Sequence, residues 1–174
     1  MQLNQALAVY EITHPKLLKG EWKINSTELE GEHSIDFNFI TPTLLQDPSG
    51  NPMGKIFSNK MLTLKRRIDL STQDAIIRTV WSYTLRTFLI EGETDIKGYE
   101  KIDWIWKRIG MNSKIELEDA KTGEKIAEFD RKRFSAKYIG DISIFKDLPK
   151  DINWLIVFSG CHSVKHIKNE ERSV

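Results

Sequence analysis

The chain has 174 residues, 40% of them hydrophobic, 10% aromatic and 29% charged. That length and composition suit one globular domain with its own core and exclude an intrinsically disordered chain. Lys and Arg number 26 against 25 Asp and Glu, a formal net charge of +1. Near-neutrality argues against global attraction to nucleic acid or to an acidic membrane and leaves room only for a local basic patch.

The alternating runs come first in chain order. Segment 33–41 puts Ile35, Phe37 and Phe39 on one face of a strand. Segment 60–70 puts Leu62 and Leu64 on one face, with Lys65 and Arg67 close by. Segments 75–82 and 83–90 are rich in β-branched and aromatic residues. Segment 101–106 carries Trp104 and Trp106 at spacing two, and 114–118, 125–129 and 141–145 alternate cleanly. Between them, Asp47-Pro-Ser-Gly-Asn51 and Asp119-Ala-Lys-Thr-Gly-Glu124 read as hairpin turns. In such turns Asp bonds the backbone ahead of it and Gly supplies a positive φ.

One segment breaks this rhythm. After Pro149 and Asp151, the latter read as an N-cap, 152–168 has helical spacing, and 154–158 is apolar on every side. A helix apolar all round is buried all round. Ser159, Gly160 and Ser163 would let other backbone approach closely. A buried strand at 154–158 is the alternative. Segment 165–174 is polar and is expected to leave the core. Many antiparallel strands followed by one apolar helix suggest a sheet that closes to remove its edges, with the helix filling the interior.

The lone cysteine, Cys161, excludes an intramolecular disulfide and suits a reducing compartment. The first ten residues lack a basic region followed by an apolar stretch, and 154–158 falls far short of the ~20 residues of a membrane span. The expectation is a cytoplasmic protein without a transmembrane segment.

The turn Asp47-x-x-Gly50 followed by Gly54-Lys-Ile-Phe57, the basic strand 61–70, the turn from Asp119 to Gly123 followed by Ile126-Ala-Glu-Phe129, the strand pair 138–145 and the apolar helix 154–167 occur in one order. In that order the chain resembles the tubby C-terminal-like superfamily, which includes the plant LURP-one-related proteins and the phospholipid scramblases. The resemblance runs from about Glu21 onward. It implies a mainly β fold, a closed antiparallel barrel of about twelve strands around a C-terminal hydrophobic central helix. It also implies one domain over 1–174, with 1–20 as an N-terminal extension and 169–174 as a polar tail. Tubby proteins bind phosphoinositide headgroups through basic residues on the barrel surface. This chain lacks the cysteine cluster and Pro-rich N-terminal region of scramblases, and no residue-by-residue match to the tubby lipid-binding positions can be made.

The candidate headgroup ligands are Lys60, Lys65, Arg66 and Arg67, then Lys107 and Arg108, then Arg131, Lys132, Arg133 and Lys137. Arg and Lys grip phosphate by charge-assisted hydrogen bonds. The competing account is a set of solvated outer faces balanced by Asp69, Glu128 and Asp130. His162 and His166, four apart on the helix, have metal-ligand spacing but no evident third ligand, and otherwise read as helix-end histidines. Trp104 and Trp106 could stack on a ligand and otherwise pack in the core, and Cys161 reads as an inert core thiol. Asp36, Asp103 and Glu116 read as wet-face carboxylates, and no catalytic motif stands out. The expectation is therefore a non-enzymatic domain, without metal or cofactor, that binds anionic lipid headgroups or a protein partner at a membrane surface. It predicts weaker vesicle binding on reversal of Lys65 and Arg67. The alternatives are a barrel carrier of a small apolar ligand and an enzyme with its site at the barrel mouth.

Overall fold

In a computed structural model, which describes residues 5–16, 20–37, 41–57, 65–111 and 114–172, alternation becomes a meander. The strands are β1 (Ala8–Thr13), β2 (Glu21–Asn25), β3 (His33–Asp36), β4 (Thr43–Gln46), β5 (Pro52–Ile56), β6 (Lys65–Ser71), β7 (Ile76–Tyr83), β8 (Thr87–Thr94), β9 (Lys101–Arg108), β10 (Lys114–Asp119), β11 (Lys125–Arg131) and β12 (Tyr138–Ile144). One helix, α1 (Lys150–Arg172), follows them. Each strand pairs antiparallel with the next, and β1 pairs with both β2 and β12, so the sheet is a closed twelve-stranded barrel.

Segment 1–20 is therefore not simply an extension. Ala8 to Ile12 match Ile144 to Gly140 residue by residue, and this seam closes the barrel. Only Tyr10 and Ile12 of β1 are buried apolar residues, too short an alternation to stand out in sequence. The run 83–90 is split by a turn. The Thr84 N–H donates to the Thr87 carbonyl at 2.9 Å, and β8 continues past Ile90 to Thr94. Phe39, Leu62 and Leu64 lie outside the described residues. The two Asp–Gly turns form as expected, with Asp47 Oδ1 accepting from the Ser49 and Asn51 N–H groups and Asp119 Oδ1 from those of Lys121 and Thr122.

Segment 154–158 is helical. Twelve residues of α1, from Ile152 to Ile167, are buried, and they meet strands all round the barrel. Trp154 stands 6.1 Å from Tyr10 on β1 and 4.6 Å from His33 on β3, ring to ring. Trp81 on β7 lies 4.4 Å from His162. The helix starts at Lys150, where the Asn153 N–H donates to the Pro149 carbonyl, so Asp151 is in the first turn rather than at the N-cap. There its charge suits the positive end of the helix dipole. At the other end the polar segment leaves the core later than expected, with only Glu170 to Arg172 exposed. Ile167 is buried, Lys165 lies over the rings of Trp22 and Phe37, and the helix runs on to Arg172.

Burying indoles means burying their N–H donors, which need acceptors. Trp106 Nε1 donates to Ser159 Oγ at 3.1 Å and Trp81 Nε1 to Ser163 Oγ at 3.0 Å. Each serine hydroxyl donates in turn to a helix carbonyl, Ser159 to Ile156 and Ser163 to Ser159. The small residues thus admit aromatic side chains rather than another backbone. A Cβ on Gly160 would lie 3.0 Å from Trp106 Cζ2 and 3.5 Å from Ile142 Cδ1.

Gly160→Val is accordingly expected to cost roughly 2 kcal/mol by overpacking against Trp106. Gly160→Ala should stay much nearer neutral, because ~1 kcal/mol of helix propensity offsets a smaller clash. Urea unfolding midpoints at unchanged slope will test the order, and equal stability of the two variants would contradict it.

Candidate functional site

The meander sends alternate connections to opposite ends of the barrel. The turns after β7, β9 and β11 share the end at which the C-terminal turns of α1 emerge. Strand parity decides what faces inward there. Arg108 follows buried Ile102, Trp104 and Trp106 at spacing two, and Arg131, itself buried, follows buried Phe129. Both reach the helix end. Arg108 Nη2 bonds Glu170 Oε2 at 2.7 Å. The Arg131 guanidinium grips both Glu171 oxygens, at 3.2 and 3.0 Å. Arg66 has the same inward parity on β6 as Ile68 and Leu70, and its charge is felt by His162 and His166.

These arginines border a cleft of about 330 Å³. Its cationic lining is Arg86, Arg108, Lys114, Arg131 and Arg133, against Glu171 alone, and the turn residues Leu85 and Met111 flank it. Arg131 and Arg133 also line an adjoining depression of about 490 Å³, together with Lys132 and Phe134. Lys114 lies 3.6 Å from Glu128. Arg86 donates to the Gly110 carbonyl at 3.2 Å, which ties the β7–β8 turn to the β9–β10 turn. Among the described residues neither Arg86 nor Arg133 has a carboxylate partner, and the buried Arg108 Nε has no acceptor.

The electrostatics reflect crowded positive charge. Burial, with the charges of Arg131 and Arg172 beside it, lowers the Lys168 pKa. Burial lowers that of Lys165 too, helped by Arg172 and Lys168. Hydrogen bonds from Arg131 hold the Glu171 carboxyl below its ordinary range. Burial pushes Glu170 up, but Arg108 and His166 outweigh it and hold it low.

The ten sequence candidates therefore separate. Arg108, Arg131 and Arg133 meet on the cleft, and Lys132 borders the depression beside it. Lys107 faces outward and pairs with Glu118. Lys65 and Arg67 lie on the outer wall of β6, Arg67 bonded to Asp69 at 3.1 Å and stacked over Phe57. Lys137 is exposed on the β11–β12 turn, and Lys60 lies outside the described residues. Arg86 and Lys114 were not singled out by sequence. Arg86 was hidden inside a run read as one strand, and the Thr84–Thr87 pair was its only turn signal.

The remaining candidates serve the core. Trp104 and Trp106 are buried, as is Cys161, whose thiol burial pushes up. His162 is not a helix-end residue, since the helix continues to Arg172. Its ring packs edge-on to Trp81, and its Nδ1 is out of solvent contact without a partner. His166 bonds Glu170 at 3.1 Å. Among the described residues no three His, Cys, Asp or Glu side chains are grouped to hold a metal ion, and no helix is long and apolar enough to cross a membrane. Compared with protein-family models, curated proteins and solved structures, the chain has no significant match.

Burial, aided by His166 and Arg66, lowers the His162 pKa from 6.5 to about 3. Below pH 6.5 the unfolded chain takes up this proton and the folded chain does not, so stability must fall on acidification. Between pH 6.5 and 5, above the carboxylate range, His162 alone should cost about 1.5 kcal/mol. Urea unfolding at both pH values should show that loss, and His162→Gln should flatten it. An unchanged slope in the variant would contradict the assignment.

Proposed function

We propose that the chain is a non-enzymatic, tubby-like domain that binds phosphorylated, anionic lipid headgroups at the mouth of the barrel. One observation carries this reading. Five cationic side chains line one cleft against a single carboxylate, and a buried guanidinium nitrogen there lacks an acceptor. Arginine forks suit phosphate oxygens, and two of the forks on the cleft, Arg86 and Arg133, are without ion-pair partners among the described residues. The fold agrees with what the tubby-like resemblance implies, which supports the same reading. The carrier alternative is weakened, because α1 already packs the interior where an apolar ligand would sit.

Liposome co-sedimentation with neutral, phosphatidylserine and phosphoinositide vesicles, at low and near-physiological salt, tests the proposal. Binding to phosphoinositide vesicles that survives physiological salt is the expected result. Arg86→Glu with Arg133→Glu should weaken it about tenfold or more, since a charge-assisted bond is worth roughly 1.5–3 kcal/mol. Lys65→Glu with Arg67→Glu, on the outer wall, should weaken it less. Binding to every anionic vesicle that vanishes with salt would reduce the site to diffuse surface charge. Absence of binding at low salt would overturn the proposal.

A further inference from the structure

The most exposed large apolar side chains among the described residues are Leu85, Met111 and Phe134, at 93%, 95% and full exposure. Each is at the tip of a different turn, after β7, β9 and β11 respectively. Leu85 and Met111 flank the cationic cleft, and Phe134 borders the depression that shares Arg131 and Arg133 with it. The other exposed large apolar side chains among the described residues, Leu7, Val9, Ile76 and Val80, are exposed at 57% or less, so the three almost bare ones gather on one rim, and that calls for a partner that covers them.

Charge is sorted along the same axis. Among the described residues, those of the connections on the side of these turns (14–16, 20, 37, 41–42, 57, 84–86, 109–111 and 132–137) include no Asp or Glu. Each connection on the opposite side (26–32, 47–51, 72–75, 95–100, 120–124 and 145–149) contains at least one. Among its described residues, a protein with a net charge of +1 thus carries an acid-free rim at one end and acid in every connection at the other. Near an anionic surface such a molecule turns its acid-free end inward.

We infer that the barrel docks end-on to an anionic lipid bilayer, with Leu85, Met111 and Phe134 inserted past the headgroups and the surrounding arginines and lysines at headgroup level. This rests on the headgroup-binding reading and adds the orientation and the apolar contact. A bilayer suits the pattern better than a protein face does. The three side chains are separate knobs on separate turns, and two of them have a base beside them, Arg86 next to Leu85 and Arg133 next to Phe134. Protein interfaces bury a contiguous apolar centre, whereas a fluid bilayer accepts isolated knobs and lets Lys and Arg snorkel to the phosphates. The barrel wall is unsuited to lipid, since outward positions such as Lys65, Arg67, Arg78, Glu91 and Lys101 are charged and exposed.

Buried Cys161 leaves the chain open to single-site labelling at an introduced cysteine. Phe134→Cys, and Ser49→Cys in the β4–β5 turn at the opposite end, would each carry an environment-sensitive fluorophore. Phosphatidylserine vesicles containing phosphoinositide would be added while co-sedimentation is measured in parallel. The expected result is a severalfold rise and blue shift for the label at 134, with no change at 49. Co-sedimentation without a change at 134 would overturn tip insertion and leave headgroup binding standing. Failure to co-sediment at all would overturn both. The triple variant Leu85→Ser, Met111→Ser, Phe134→Ser provides a second readout. Its vesicle affinity should fall at least about tenfold while its melting temperature holds. Unchanged vesicle affinity would overturn the inference.

Discussion

The structure depends on the need to bury α1 on every side. From Ile152 to Cys161 the helix leaves no face for water apart from Asn153, and a single layer of sheet or helix can cover only one stripe. Only a surface that closes on itself can meet that demand, and a twelve-strand meander does so once β1 joins β12. Closure also removes sheet edges that would otherwise invite association. The polar atoms brought inside are dealt with locally, because the Ser159 and Ser163 hydroxyls accept the two indole donors and pass their own protons to the helix backbone.

The same constraint places the chemistry. A helix threaded through a barrel must emerge somewhere, and it emerges with its negative pole and two glutamates at one mouth. Cations gather there for structural reasons first, with Arg108 on Glu170 and Arg131 on Glu171. The cleft holds more positive charge than these two partners require, because Arg86, Lys114 and Arg133 line it as well. On the outer wall the balance differs. Lys107 meets Glu118, Arg67 meets Asp69 and Lys23 meets Glu21, so charge is neutralised pair by pair. Exposed pairs of this kind contribute little to stability. Near-neutral composition therefore conceals a polarised molecule.

The barrel and its helix were legible because their signals are periodic. Strands at 101–106, 114–118 and 125–129 alternate, and a segment apolar in all directions has few places to go. Short elements were not legible. β1 buries only two apolar residues, and the β7–β8 turn contains neither Gly nor Pro, so Leu85 and Arg86 looked like part of a strand. The basic residues were found by type but not by place. Arg66 and Arg67 are adjacent in sequence, yet parity sends one toward the mouth and the other onto the wall. Which clusters converge depends on strand order and tilt, and these follow from closure rather than from local pattern.

Two of the cleft arginines carry a structural load, and this shapes how the mouth can take up an anion. Arg131 spends both nitrogens of its fork on Glu171, so a ligand that took it over would release the end of α1. Arg108 spends Nη2 on Glu170, and its buried Nε is left without an acceptor. Under the proposed headgroup reading, an anion held by Arg86 and Arg133 would leave the helix end clamped. If the proposed site is occupied only in the folded chain, occupancy and stability are linked through mass action.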